Sequence, residues 1–286
     1  MEAALNELPL AIFTTLAPLG AGAFVVLAVA ACSLKLDGDA LKAVDRFSLI
    51  PAALVLVGFI ASFFHLAAPL HAVGVFAGIG HSPLSNEIAV GAVFFVAMAL
   101  YVILGLAGKL TPKVRRPFAA VVAVLALVFA VFTGLAYMMP TIPSWNSPLV
   151  PIEMLAMALL GGTPVGMLAL SLAGALEKRT SHMVKSLAFM LVLIGFVGSA
   201  VALVGHFDML GELWSPAVAG ATLADPVMPF MVAAAVCAVI VAVLMGVACF
   251  GKKNATVFSA VASCVALAGV FLVRFSFYAV QMSIGL

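Results

Sequence analysis

Twelve of the thirteen Lys and Arg residues fall in four short gaps between long apolar runs, and the gaps that alternate with those hold none. The filled gaps carry Lys35, Lys42 and Arg46; Lys109, Lys113, Arg115 and Arg116; Lys178, Arg179 and Lys185; and Lys252 and Lys253. Residues 1–34, 69–86, 140–150 and 207–226 have no basic side chain. Basic loops are retained on the cytoplasmic side of a membrane. The alternation therefore predicts eight membrane-spanning helices with both termini on the outer, extracytoplasmic face. The thirteenth basic residue, Arg274, lies inside an apolar run and fits neither loop class.

Composition supports the same fold class, an all-α integral membrane protein. The chain is 66% hydrophobic and 8% charged, with a mean hydropathy of +1.31, too apolar for a soluble domain to cover. A bilayer-crossing helix needs roughly 20 apolar residues. Such runs lie near 10–33, 47–68, 88–108, 118–139, 151–176, 186–206, 227–250 and 256–282, within one polytopic domain over 1–286. The short alternating segments of a transmembrane barrel are absent from the sequence. Residues 1–140 and 141–286 each hold four runs, which allows two four-helix units in parallel repeat, although no residue-level match between the halves stands out.

The first run lacks a basic leader, and Lys35 and Arg46 follow it where the cytoplasm is expected, so it reads as a retained helix despite the lipoprotein-like Val29-Ala30-Ala31-Cys32. Cys32, Cys237, Cys249 and Cys264 are scattered singly, without metal-cluster spacing, and read as buried packing. Gly74-x-x-x-Gly78 and Gly162-x-x-x-Gly166 are candidates for close helix contact. The outer loops are acidic and include Trp145, Trp214 and several prolines. Two of them, 69–87 and 140–151, are too apolar for linkers and are expected to fold over the helix ends.

An ionisable group inside a bilayer is costly unless paired or hydrated. His65 belongs to the outer third of the second run, Glu87 opens the third at nearly the same depth, and Arg274 sits in the outer part of the eighth. Tyr278 and Gln281 follow Arg274 on one helical face. Each has a plainer reading: His65 as a helix-end histidine, Glu87 as an N-terminal cap with Ser85 and Asn86, Arg274 as a structural ion pair with Glu87 or, second, Glu153, or as a side chain snorkelling to the outer interface. His71, His81 and His206 read as solvated. A histidine, a carboxylate and an arginine near a membrane surface suit a lipid-soluble quinol, whose oxidation releases two protons and needs a base titrating near neutrality.

Several segments carry a family likeness. Glu7-Leu8-Pro9-Leu10 with Phe13, Gly58-Phe59-Ile60-Ala61-Ser62-x-x-His65-Leu66-x-x-Pro69, Ser85-Asn86-Glu87-Ile88-Ala89, Pro143-Ser144-Trp145 and Arg274-x-x-Phe277-Tyr278 occur in that order. Together they resemble the membrane anchor subunit of dimethyl sulfoxide reductase, and Gln281 departs from a histidine expected in near relatives. The resemblance implies a multi-pass anchor in a bacterial or archaeal cytoplasmic membrane, serving anaerobic respiration. It implies that the anchor binds menaquinol with His65, holds no haem or iron–sulfur cluster, and passes electrons to a four-cluster iron–sulfur subunit and a molybdopterin catalytic subunit. The quinol-site candidates are His65, Glu87, Arg274 and Tyr278. Alternatives are a b-type cytochrome subunit, which needs facing axial histidines, and a secondary transporter, which needs broken helices and polar groups at the midplane.

Overall fold

The computed structural model describes the protein apart from residues 1, 37, 66–73, 76, 178–180, 215–218, 252–253 and 283–286. Leu66 and Pro69 of the His65 motif, His71, and the basic residues Lys178, Arg179, Lys252 and Lys253 thus lie outside the described residues. What is described is helical, with one isolated bridge between Trp214 and Ala219.

The helices run in sequence order: α1 (Glu2–Asn6), α2 (Leu8–Ser33), α3 (Gly38–Phe47), α4 (Leu49–Phe63), α5 (Pro83–Leu106), α6 (Pro112–Leu135), α7 (Leu149–Leu172), α8 (Ser181–Glu212), α9 (Gly220–Ala224), α10 (Met228–Phe250) and α11 (Ala255–Ala279). Eight spans are long and apolar enough to cross a membrane among the described residues, with α3 and α4 together forming the second, Gly38–Phe63.

Boundaries depart from the sequence expectation where polar residues join a helix. Proline suits the first helical turn, where its missing N–H costs nothing, so Pro83 and Pro112 start α5 and α6 ahead of the apolar runs. The cap of α5 is Ser82, which accepts from Ser85 N at 3.4 Å, rather than Ser85 or Asn86. The second span begins with the polar–apolar helix α3 instead of a single rod from residue 47. α8 continues to Glu212, so Asp208 lies on a helix and not in a loop.

Two helices form the axis. α2 is 83% and α7 78% buried, against 22–44% for the other spans. Both are apolar around their whole circumference, as a helix surrounded by protein should be. Small residues let them meet: a Cβ on Gly162 would lie 2.5 Å from the Leu19 carbonyl oxygen, and one on Gly22 would run into the Ala158 carbonyl. Gly162 and Gly166 thus serve the close contact expected of them. Gly74 does not, having open space about it, and a Cβ on Gly78 would meet first Ser82 and Ser85, at the adjacent start of α5. The peripheral helices turn apolar stripes outward, such as Val93, Val96, Leu100 and Ile103 on α5.

Around this axis the halves repeat one arrangement. In the first unit α2 packs on α4 and α6, and α5 on α6 and, more thinly, α4; in the second α7 packs on α8 and α11, and α10 on α11 and α8. Between units α2 meets α7, α6 meets α7, and α11 meets α2. The two halves thus share one order of helix neighbours, with no matching signal in sequence because lipid-facing apolar residues interchange freely.

The cysteines do not share one environment. Cys249 is buried and Cys237 partly so, but Cys32 and Cys264 are exposed, correcting the expectation of four packed thiols. Arg115, expected as a loop charge, is buried: its guanidinium forms a two-pronged pair with Asp45 of α3, Nη2 to Oδ2 at 2.9 Å. This pair ties the start of α6 to the second span, at the end of the bundle opposite the candidate site.

Candidate functional site

Helix direction brings the starts of α2, α5, α7 and α10 and the ends of α4, α6, α8 and α11 to one end of the bundle. Arg274, four residues before Tyr278 on α11, is fully buried there. Its Nη1 donates to Glu153 Oε1 of α7 at 3.1 Å and its Nε to the Thr14 hydroxyl of α2 at 3.1 Å. Phe277 lies 4.1 Å below the guanidinium carbon, with the Tyr137 and Tyr278 rings each 5.3 Å away. Such desolvated cation–π contacts contribute about 2 kcal/mol or more, and the carboxylate offsets the cost of burying the charge. Of the two acids expected to pair with Arg274, the first choice, Glu87, gives way to Glu153.

Glu153 serves a second cation-forming group. His206 Nδ1 of α8 lies 3.0 Å from its other oxygen, Oε2. His206 is buried at 8% exposure, which overturns its reading as a solvated histidine. The reason is the length of α8, which carries His206 as an interior helix residue facing α7. His81 is exposed, as expected.

Tyr278 extends the cluster across the molecule. Its hydroxyl meets that of Tyr137, just beyond α6, at 2.5 Å, and Thr14 Oγ1 lies 3.4 Å away. Gln281 falls beyond the last residue of α11. Trp145 roofs the site, stacking on Phe277 with centroids 5.1 Å apart and donating its Nε1–H to the Phe277 carbonyl at 2.9 Å. Ser144 accepts from Met282 N at 2.9 Å. The 140–150 segment thus folds over the helix ends as its composition predicted, while Trp214 in the other loop is 74% exposed.

Glu87 is buried on α5 beside the Thr133 hydroxyl of α6, within electrostatic range of the Arg274 guanidinium and of the Tyr137 phenol. Its Oε1 is shielded from solvent and has no hydrogen-bond partner. His65 follows the end of α4, its N–H held by the Ser62 carbonyl at 3.2 Å, and its Nδ1 lies 3.2 Å from Glu7 Oε2 at the start of α2. That side chain is 39% exposed. A lower contact relates the two residues in depth: a Cβ on Gly91 of α5 would touch the Phe59 ring of α4 at 3.2 Å. Glu87 stands four residues from Gly91 and His65 six from Phe59, so both lie about one to two turns toward the same end.

The structure thus brings Arg274, Tyr278 and Glu87 into one buried neighbourhood and gives His65 a separate partner, Glu7. Sequence reasoning missed Thr14, Tyr137, the Glu7 contact and His206. Threonine and tyrosine in an apolar helix carry no signal of which helix they face, and the cluster joins positions 121 to 264 residues apart.

An enclosed cluster of ionisable side chains at one end of two packed four-helix units defines a polytopic membrane subunit with a polar site near one surface. The protein belongs to the family described as DMSO reductase anchor subunit (DmsC), which matches residues 1–280. It is similar to the C subunit of the anaerobic dimethyl sulfoxide reductase of Escherichia coli K12, 36% identical over 170 residues, which is 59% of each protein. The C subunit of the Haemophilus influenzae enzyme is 32% identical over 162 residues, 57% of this protein and 58% of that one. The YnfH subunit of an anaerobic dimethyl sulfoxide reductase of E. coli K12 is 32% identical over 157 residues, 55% of each. The matched segments therefore span less than two thirds of these relatives. Family and spans together make this a multi-pass protein of the cytoplasmic membrane.

Proposed function

We propose that the protein anchors a molybdoenzyme complex in the membrane and oxidises menaquinol at the end of the bundle that carries Glu87 and His65. The observation that carries this reading is the buried Glu87 carboxyl with its unpartnered oxygen. A buried acceptor without a partner is uncommon in a folded protein, and a quinol hydroxyl supplies the missing donor. His65, more exposed and held against Glu7, is the group that takes up and hands on a proton. Arg274 and Tyr278 are buried and bonded to Glu153, Thr14 and Tyr137, although Arg274 Nη2 is also without a hydrogen-bond partner, and they act from behind, fixing the helix ends and the local field.

Quinol oxidation yields two electrons and two protons. Every group assigned to the site lies at one end, so the electrons leave there, to a four-cluster iron–sulfur subunit docked over the loops that carry no Lys or Arg, and on to a molybdopterin subunit. The orientation rule makes this the outer face. A haem reading requires facing histidines, whereas His65 and His206 belong to different units and each turns to a glutamate of its own unit.

Replacing His65 with Ala tests the assignment. The complex should assemble and accept electrons from soluble dyes feeding the partner subunits, while quinol-driven turnover falls by about tenfold or more, a loss of 1.4 kcal/mol of barrier lowering. Undiminished quinol oxidation would remove His65 from the site.

A further inference from the structure

We propose that the second four-helix unit holds a second binding site for a quinol-class ligand, its hydroxyl on His206 and Ser276 and its apolar body between α7, α8, α10 and α11. The inference takes its ligand class from the function proposed above and assigns it a place outside that site.

Its first support is two buried polar atoms with no partner. His206 Nε2 and Ser276 Oγ are both shielded from solvent and make no hydrogen bond, and their residues are 8% and 2% exposed. Both line one small cavity of about 30 Å³, together with Ser144, Glu153 and Met231. That cavity shares Glu153, Met231 and Val273 with a larger one of about 140 Å³. The walls of the larger cavity are apolar, among them Met157, Phe196, Leu203 and Ala238, and its Ser199 hydroxyl is also unpartnered. A small pocket edged by these few polar side chains thus adjoins an apolar-walled one, the shape of an amphipathic ligand with a small polar end.

Chemistry narrows the class. His206 presents Nδ1 to Glu153 Oε2 at 3.0 Å. With its N–H donated to that carboxylate, the imidazole offers a free lone pair at Nε2, an acceptor for a hydroxyl. Ser276 completes the pair, donating or accepting as the ligand requires. The apolar walls favour a ring or prenyl body over a sugar or a charged group.

The third support is the repeat. The first unit sets Glu7 of α2 against His65 at the end of α4, and the second sets Glu153 of α7 against His206 of α8, the helix in the matching place. His65 and His206 are 141 residues apart, the separation of Tyr137 and Tyr278. A histidine–glutamate contact thus stands in both units, enclosed in the second and half-open in the first.

Photolabelling of the assembled complex with a tritiated azido-naphthoquinol, followed by peptide mapping, tests the proposal. Label is expected in peptides covering 196–212 and 269–282 as well as in those covering 56–65 and 83–94. Ala238→Phe fills the apolar cavity, and Ser276→Ala removes only a hydroxyl. Each should cut label in the second-unit peptides by about tenfold, or 1.4 kcal/mol, and leave the first-unit peptides labelled. Label in the first-unit peptides alone overturns the second site and leaves the proposed function standing. Label in the second-unit peptides alone supports the second site and overturns the His65–Glu87 assignment. Second-unit label unaffected by both substitutions shows nonspecific insertion from the bilayer and overturns the inference, as does displacement of that label by phospholipid lacking a phenolic hydroxyl. A protein that takes no label overturns both readings.

Discussion

Tyr137 and Tyr278 close the last helix of each four-helix unit, and their hydroxyls meet at 2.5 Å across the seam between the units. Around that contact the two units share their only fully enclosed arginine among the described residues, Arg274, held by Thr14 of the first unit and Glu153 of the second. The polar cluster therefore joins the halves at the end where function is proposed.

Removing one side of the central pair should be severe. Arg274→Leu leaves Glu153 buried with His206 as its remaining partner, and breaking a buried pair costs about 3–5 kcal/mol. Thermal unfolding of the detergent-solubilised complex should show a large fall in Tm or failure to assemble. Arg274→Met combined with Glu153→Leu should recover part of that loss. A single variant with wild-type stability contradicts the pairing.

The Asp45–Arg115 pair at the opposite end is expected to matter for assembly alone. Asp45→Asn leaves the Arg115 guanidinium uncompensated, with a cost of about 3 kcal/mol on the same grounds. Turnover per assembled complex should be unchanged with either quinol or dye. A selective loss of quinol turnover shows instead that this end communicates with the site.

Two glycines separate packing from backbone conformation. Gly22→Ala drives a methyl into the Ala158 carbonyl and should prevent α2 and α7 from docking, so that the protein fails to accumulate in the membrane. Gly174 has φ +65° and open space around it. Gly174→Ala should therefore cost only the left-handed backbone penalty, about 1–2 kcal/mol, and yield an assembled protein. Equal accumulation of both variants refutes close α2–α7 docking as the requirement for folding.

The proposed electron exit, on the side where the quinol would be oxidised, has an electrical consequence. Under that proposal protons released at the outer face meet substrate reduction that consumes them on that face, so turnover moves no net charge. Sealed vesicles carrying the complex should develop no membrane potential during quinol-driven turnover. Potential that builds with turnover places the partner on the other face.

The number and order of spans were legible because bilayer thickness and loop charge leave strong marks on sequence. The site was legible only in part. Glu87, His65, Arg274 and Tyr278 stand out as polar residues in apolar runs, but facing information is lost when a helix is apolar on every side, as α2 and α7 are. The order of Glu87 before Glu153 as partner for Arg274 fails on that account, and Thr14 gives no signal at all. His206 escapes the sequence for a different reason: polar Asp208 and Glu212 read as loop, although a helix leaving the bilayer carries such residues readily. The Asp45–Arg115 pair stayed hidden because the orientation rule counts basic residues without asking whether they are buried.

The proposed function turns on one contact, a quinol hydroxyl that completes the unpartnered Glu87 carboxyl. Paired turnover assays on a Glu87→Leu complex decide it, one driven by menaquinol and one by a soluble dye that reduces the partner subunits directly. The expected result is a loss of about tenfold or more in the quinol assay, equivalent to 1.4 kcal/mol, with dye-driven turnover retained. Equal rates with quinol in variant and parent, or a parallel fall in both assays, contradict it.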